Sequence, residues 1–336
     1  MGTWEFVLMA NTQGLTSGGR AGLFWSYVWT FIGYAFITAS LAEMASMAPT
    51  AGGQYHWVSE FAPPSMQRGL SYSAGWLSFL CWQAGNASGV FLVGTLIQGL
   101  LVIKNPDYSA PGWQGFLLVI PVVIICLAIN IWATHYLPTM QNVVMLIHVF
   151  GFVAIVVVLW VLGPHVDAKT ALLTFTNEAG WQTTGLALMM GQITAVSALG
   201  GRHESPLYDT DKSLTITASD AAAHMAEEVR DAGLTVPNAI ITTFTVNALL
   251  GLIMMVSFVF CIPSIDDALN DPTGYPILYV FQLSMPVYGT ICLTVLLMVL
   301  MQVSNVRNVS TRTDITLTHQ DLLPSILRPY YFRLCS

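Results

Sequence analysis

Residues 139–162 read TMQNVVMLIHVFGFVAIVVVLWVL, a run of 24 residues without Asp, Glu, Lys or Arg. A helix needs about 20 mainly apolar residues to cross the hydrocarbon core of a bilayer. This run is therefore predicted to be a membrane-spanning helix. Its only ionisable side chain is that of His148.

Similar runs occur along most of the chain. Five more are long enough to span, namely Gly22–Met47, Leu70–Ile103, Gly115–Thr134, Val236–Ile262 and Tyr275–Val303. A further run, Trp181–Gly200, is borderline because it is rich in Gly, Thr, Ser and Gln. We therefore expect an all-α polytopic membrane protein with about seven full spans, preceded by half of a helix at the N-terminus.

The composition agrees with a membrane protein and excludes other classes. Hydrophobic residues make up 54% of the 336 residues and charged residues only 9%, whereas about 25% of a soluble domain is charged. The net charge of -7 leaves no basic surface for nucleic acid. The sequence contains neither HExxH nor GxSxG, and its five cysteines lack the spacing of metal ligands. We expect no enzyme activity, no metal and no cofactor, and the oligomeric state stays open.

The basic residues indicate the orientation. If the leading half-helix begins in the cytoplasm, eight of the 11 Lys and Arg residues fall on the cytoplasmic side, against Arg20, Lys104 and Lys169 outside. An excess of Lys and Arg marks cytoplasmic loops. A cytoplasmic N-terminus follows, with residues 51–63 and 220–236 on the cytoplasmic side.

Polar side chains inside a membrane are costly and point to function. Three groups qualify: Thr3, Trp4 and Glu5 in the half-helix; Gln192, Thr194 and Ser197 near glycines; and His148 alone in its helix. Each group has a structural alternative. Glu5 could lie in a water-exposed terminus, the Gly-rich segment could be a close-packing surface, and His148 could bond a neighbouring helix. Because histidine changes charge near neutral pH, His148 is also the candidate for proton coupling.

Two longer motifs resemble one known family. Residues 41–57 read LAEMASMAPTAGGQYHW and residues 220–239 read DAAAHMAEEVRDAGLTVPNA. Together they resemble the amino acid-polyamine-organocation permeases, in particular the fungal branch with GABA permeases and choline transporters. The likeness runs from Trp4 to about Val303, apart from one interruption. Residues 1–303 then form one transmembrane permease domain.

The resemblance implies a leucine-transporter-like bundle of two inverted repeats, with substrate held by unwound segments of helices one and six. Here those segments fall at residues 2–5 and 200–220. The implied substrate-binding residues are Thr3, Trp4, Glu5, Gln192, Ser197, Gly200 and Asp220.

The implied function is secondary transport of an amino acid or related amine, such as GABA or choline, by alternating access and coupled to protons. The plasma membrane is the family's usual location, and the vacuolar membrane is the alternative. A non-transporting fragment or a membrane sensor with the permease fold is the alternative function.

Two segments depart from the family pattern. Residues 202–218 place several charges where helix six should lie, which would be costly in a membrane. A retained intron and a genuine cytoplasmic loop are the two explanations. Residues 304–336 form a polar tail unlike the family. We therefore expect an incomplete bundle that lacks part of its second repeat.

Overall fold

Helices make up all the regular structure of the described chain. The computed structural model describes residues 2–50, 52–105, 107–133, 136–200 and 231–318, without the side chains at 138 and after 306. In chain order the helices are α1 (Thr3–Met9), α2 (Thr12–Met47), α3 (Gly53–Phe61), α4 (Gln67–Lys104), α5 (Gly112–Trp132), α6 (Leu137–Leu162), α7 (Ala168–Leu173), α8 (Thr184–Gly191), α9 (Ile193–Leu199), α10 (Ala232–Phe260), α11 (Ile265–Leu269), α12 (Pro276–Ser284) and α13 (Val287–Thr318).

Six helices of this part of the chain are long and apolar enough to span a membrane: α2, α4, α5, α6, α10 and α13. This confirms the predicted all-α polytopic architecture. The predicted number of about seven is one too high within the described residues. The borderline run 181–200 forms the two shorter helices α8 and α9, which meet at Gln192. Helix α8 begins at Thr184 and not at Trp181, because Thr183 caps it: the Thr183 hydroxyl oxygen accepts a hydrogen bond from the backbone N–H of Leu186 at 3.2 Å.

The charge-free run Tyr275–Val303 is also not one span, as the sequence had suggested. It divides into α12 and the first part of α13, with an extended residue, Met285, between them. Pro286 follows that residue, and a proline disfavours the helical conformation of the residue before it. Beyond Val303, where the polar tail was expected to begin, α13 continues to Thr318.

The short helix α1 lies at the centre of the bundle. It packs against α9, α10, α12 and α13, and every one of its residues is buried. Trp4, Leu8 and Met9 belong to the largest apolar cluster, together with Phe258 and Phe281. Packing on all sides therefore holds a helix of 7 residues, although an isolated helix of that length would be unstable in water.

Helix α2 bends where the sequence has a glycine pair. Gly19 has a φ of 67°, and a Cβ there would lie 2.5 Å from Oγ1 of Thr176. Both the positive φ and the close approach require glycine. Directly after the bend, the Arg20 guanidinium donates from Nε to the carbonyl of Ile262 at 2.9 Å and from Nη2 to that of Pro263 at 2.7 Å. These bonds join α2 to the segment after α10.

Candidate functional site

The first turn of α1 carries three of the predicted site residues. Gly2 has a φ of 117°, which favours glycine, and the helix begins at the next residue. Thr3, Trp4 and Glu5 are therefore helical, whereas the family resemblance implied an unwound segment there. They are 1%, 0% and 1% exposed, respectively. The structural alternative of a water-exposed terminus does not apply to Glu5.

Glu5 faces His148 of α6. The distance between Oε1 of Glu5 and Nδ1 of His148 is 2.6 Å, and the imidazole is 3% exposed. A buried carboxylate is costly unless a partner compensates for its lost hydration. His148 supplies that partner at one oxygen only. The other oxygen, Oε2, is buried and has no hydrogen-bond partner among the described residues.

Trp4 contacts the same imidazole from the other side. Its indole Nε1 donates a hydrogen bond to Nε2 of His148 at 3.0 Å, and the two ring centroids are 5.3 Å apart. Phe152, one turn further along α6, lies edge-on to the indole at 5.8 Å. Both ring nitrogens of His148 are therefore hydrogen-bonded to side chains of α1. From the sequence, His148 and these α1 residues were predicted to form two separate groups.

A small cavity adjoins this triad between α1, α6 and α13. Its lining residues are Glu5, Gln141, Val144, His148, Leu300, Val303 and Ser304. Gln141 is 7% exposed, and its carbonyl oxygen Oε1 has no hydrogen-bond partner in the described chain. Two residues that line this cavity thus each carry a buried acceptor oxygen without a partner in the described chain, which suits a ligand that donates hydrogen bonds.

Gln141 and Ser304 were not predicted from the sequence. Gln141 precedes His148 by seven residues, so two helical turns place it on the same face. This spacing was a signal that the sequence offered. Ser304 lay within the segment assigned to the polar tail, and only the continuation of α13 brings it to the cavity.

The second predicted group lies against α2. Gln192 donates from Nε2 to Oγ1 of Thr30 at 3.2 Å. Thr194 bonds the chain where α1 ends and α2 begins: its hydroxyl accepts from the backbone N–H of Gly14 at 3.1 Å and donates to the carbonyl of Ala10 at 3.2 Å. Gly191 packs closely on Gly14. These contacts agree with the close-packing alternative for Gly191 and place Gln192 against α2.

The remaining predicted residues are further along the same segment. Ser197 is half-buried on α9, and Gly200 is exposed directly after that helix. Neither residue, nor Gln192, is among those that line the Glu5 cavity in the described chain. Asp220 and the segment 202–218 lie outside the described residues. The structure therefore brings together Trp4, Glu5 and His148, and it places the described members of the second group elsewhere.

Several curated proteins with related sequences come from fungi. A protein named as an amino acid/polyamine transporter of Macrophomina phaseolina is 28% identical over 299 residues, covering 88% of this chain and 62% of its own length. The choline transporter of Saccharomyces cerevisiae is 25% identical over 282 residues, or 83% of this chain and 47% of its own. The swainsonine transporter of Arthroderma benhamiae is 27% identical over 275 residues, or 81% and 51%. The chain thus spans about half to three fifths of these relatives.

The match to a family as a whole is more extensive. The family model described as amino acid permease matches residues 2–314, which includes α1 with Glu5, α6 with His148 and all six spanning helices. The chain belongs to the amino acid permease family.

Proposed function

We propose that this protein transports an amino acid or a related amine, such as GABA or choline, by alternating access and coupled to protons. The observation that carries the proposal is the buried contact between Glu5 and His148 at the centre of a multi-pass bundle. Intramembrane ionisable residues of this kind are usually retained for substrate or proton movement. The family membership and the names of the relatives support the substrate class.

Glu5 is placed to hold a cationic amine, because one of its carboxylate oxygens has no hydrogen-bond partner among the described residues. Its Oε1 is bonded to His148, whereas Oε2 has no partner among the described residues, and Glu5 lines the cavity. A primary ammonium group, as in GABA or leucine, would supply both the missing hydrogen bond and a compensating positive charge, whereas the quaternary ammonium of choline would supply the charge alone. The proposed substrate site consists of Thr3, Trp4 and Glu5, with Gln192, Ser197, Gly200 and Asp220 as its second side. Because Gln192, Ser197 and Gly200 do not line the Glu5 cavity, we propose that α1 and α9 move relative to each other to bring the two sides together.

His148 is the proposed proton carrier. It bonds the same carboxylate that would hold the substrate, so protonation of the imidazole and binding of a cation both act on the charge of Glu5. No covalent chemistry is required, because the family works by changes in accessibility around a central site. We propose the plasma membrane as its location, which a fluorescent fusion would test.

The test is uptake of radiolabelled GABA, choline and leucine by the full chain in proteoliposomes, measured with an inward and, separately, with an outward proton gradient. The outward gradient is needed because a proton on His148 and a cation at Glu5 oppose each other, which would exchange them across the membrane. A second form lacking residues 202–218 is measured beside it, because that polar segment interrupts the family pattern. We expect at least one form to accumulate a substrate, and a protonophore to abolish that accumulation.

The matched variants are Glu5→Gln and Glu60→Gln. Glu60 is an exposed carboxylate on α3, so its substitution should leave uptake unchanged, whereas Glu5→Gln should reduce uptake of the cationic substrate by at least about tenfold. If neither form takes up or binds any of the three compounds, the proposal is wrong and the non-transporting alternative stands. Equal uptake by Glu5→Gln and the parent chain would remove Glu5 from the site.

A further inference from the structure

We propose that Trp4 controls when His148 takes up a proton: its indole N–H holds the imidazole neutral, and protonation requires the indole to leave. The inference rests on the proposed function for its role in transport. Its chemistry depends only on the contacts among Trp4, Glu5 and His148.

The hydrogen bonds define the tautomer of His148. An indole nitrogen is a donor only, so Nε2 of His148, 3.0 Å from Nε1 of Trp4, must be the acceptor and carries no hydrogen. The hydrogen of the neutral ring is then on Nδ1, where it is donated to Oε1 of Glu5 at 2.6 Å. Both bonds are satisfied when His148 is neutral and Glu5 is ionised.

A second proton on His148 is incompatible with this arrangement. It would have to bind Nε2, and two N–H groups would then face each other at 3.0 Å without an acceptor between them. Trp4 is 0% exposed and packs against Phe152, so the indole can leave only if the first turn of α1 shifts. Glu5 does not oppose the second proton, because its Oε1 accepts the hydrogen on Nδ1 in either protonation state of the ring.

Within the described part of the chain, few other charged side chains lie on the helices around His148. The helices packed around α1 and α6 are α9, α10, α12 and α13. Apart from Glu5 and His148, neither α1 and α6 nor these four helices contain an Asp, Glu, Lys, Arg or His, with α13 considered up to Val306. The amino group of residue 1 is the nearest other charged group along the sequence. Among the described residues, Glu5 and Trp4 are therefore the groups that hydrogen-bond to His148 and decide its protonation. Asp220, on the proposed second side of the site, lies outside the described residues.

The proposed consequence is a link between proton binding and movement. With His148 neutral, Glu5 keeps its full charge beside the cavity and its Oε2 has no partner in the described chain, which favours a bound cation. With His148 protonated, the charge of Glu5 is balanced and Trp4 is released. Trp4 is thus a positioning residue that connects the proton to the movement of α1.

The experiment is NMR of the full chain in lipid nanodiscs, with ¹⁵N-labelled histidine and tryptophan. His148→Gln identifies the signals of His148 by difference. Near neutral pH we expect Nε2 to show the signal of an unprotonated nitrogen. On acidification its protonation and the shift of the Trp4 indole N–H should have the same midpoint.

Trp4→Phe removes the indole N–H and should raise the proton affinity of His148 about tenfold, the effect of one hydrogen bond. If Trp4→Phe does not fold, 3-benzothienylalanine at position 4 keeps the shape and lacks the N–H. Trp160→Phe is the control, because Trp160 also lies beside a histidine ring, that of His165 at 5.3 Å, but donates to Ser257. It should leave His148 unchanged.

A protonated Nε2 at neutral pH would overturn the proposal, and so would an unchanged midpoint in Trp4→Phe or its isostere. No substrate is needed for these measurements. If they succeed while uptake proves independent of pH, the control of His148 by Trp4 stands and the proton coupling in the proposed function fails.

Discussion

Oε1 of Glu5 lies 2.6 Å from Nδ1 of His148, although 143 residues separate them in the sequence. The contact joins α1 to α6 and places a carboxylate and an imidazole in one buried unit. The effects of substitutions at the two positions should therefore be non-additive, as is usual for residues in direct contact. The effect of a substitution at Glu5 can therefore be interpreted only together with the effect of a substitution at His148, and the double variant should be measured as well.

Replacing His148 with Gln should flatten the pH dependence of transport. The amide keeps hydrogen-bonding capacity but does not change its charge in the range where histidine does. Uptake at a fixed substrate gradient, measured from pH 5 to 8, is the test. His56→Gln, at a partly exposed histidine on α3, is the control and should keep the profile of the parent chain. If His148→Gln keeps the shape of that profile, the coupling proton binds elsewhere.

Replacing Gly251 with Ala should destabilise the contact between α2 and α10. A Cβ at this position would collide with the hydroxyl of Tyr27 and lie 3.0 Å from Cγ2 of Thr3. Tyr27 is buried, and its hydroxyl donates to the carbonyl of Ala248 at 2.9 Å, so it cannot move away cheaply. We expect a loss of about 1–3 kcal/mol, the usual cost of overpacking, seen as a lower melting temperature in detergent.

The control for this substitution is Gly33→Ala, because a Cβ at the exposed Gly33 of α2 meets no atom within 4 Å. It should have no effect or stabilise the helix slightly. Adding Tyr27→Phe to Gly251→Ala removes the colliding oxygen and should restore part of the loss. A melting temperature unchanged by Gly251→Ala would show that the two helices have room to separate.

Replacing Arg20 with Met should weaken the attachment of α2 to the segment after α10. Methionine keeps much of the apolar stem but leaves the carbonyls of Ile262 and Pro263 without their donor. Ile262 is buried, and a buried carbonyl left unpaired costs about 1–3 kcal/mol, whereas the carbonyl of the exposed Pro263 can bond water instead. Thermal unfolding in detergent should show a clear decrease, whereas Arg68→Met, at an exposed arginine, should change little. Similar melting curves for both variants would contradict a stabilising role for Arg20.

The proposed orientation can be tested by cysteine labelling of intact cells. In a background without the five native cysteines, Glu60→Cys on α3 should resist a membrane-impermeant maleimide applied outside. Ser109→Cys, in the exposed connection between α4 and α5, should react. The basic residues place these two positions on opposite sides of the membrane. Labelling of position 60 from outside would reverse the topology.

The sequence by itself determined the class of protein. Whether a segment spans a membrane depends on its length and apolar character, which are local properties. For this reason the apolar runs that form α4, α5, α6 and α10 could be predicted without a structure. The motifs at 41–57 and 220–239 likewise identified the family that the comparison confirmed. Glu5 and His148 stood out because charge is rare among apolar residues.

Only the tertiary structure decided how these residues are combined. The contacts of His148 with Glu5 and Trp4, and of Gln192 with Thr30, depend on which helix faces meet. Composition does not encode those faces, because almost every residue of a spanning helix is apolar, whether it faces lipid or protein. The break before Pro286 was also missed, since the lack of charge continues through it. Length and hydropathy give the spans, and the packing between them creates the site.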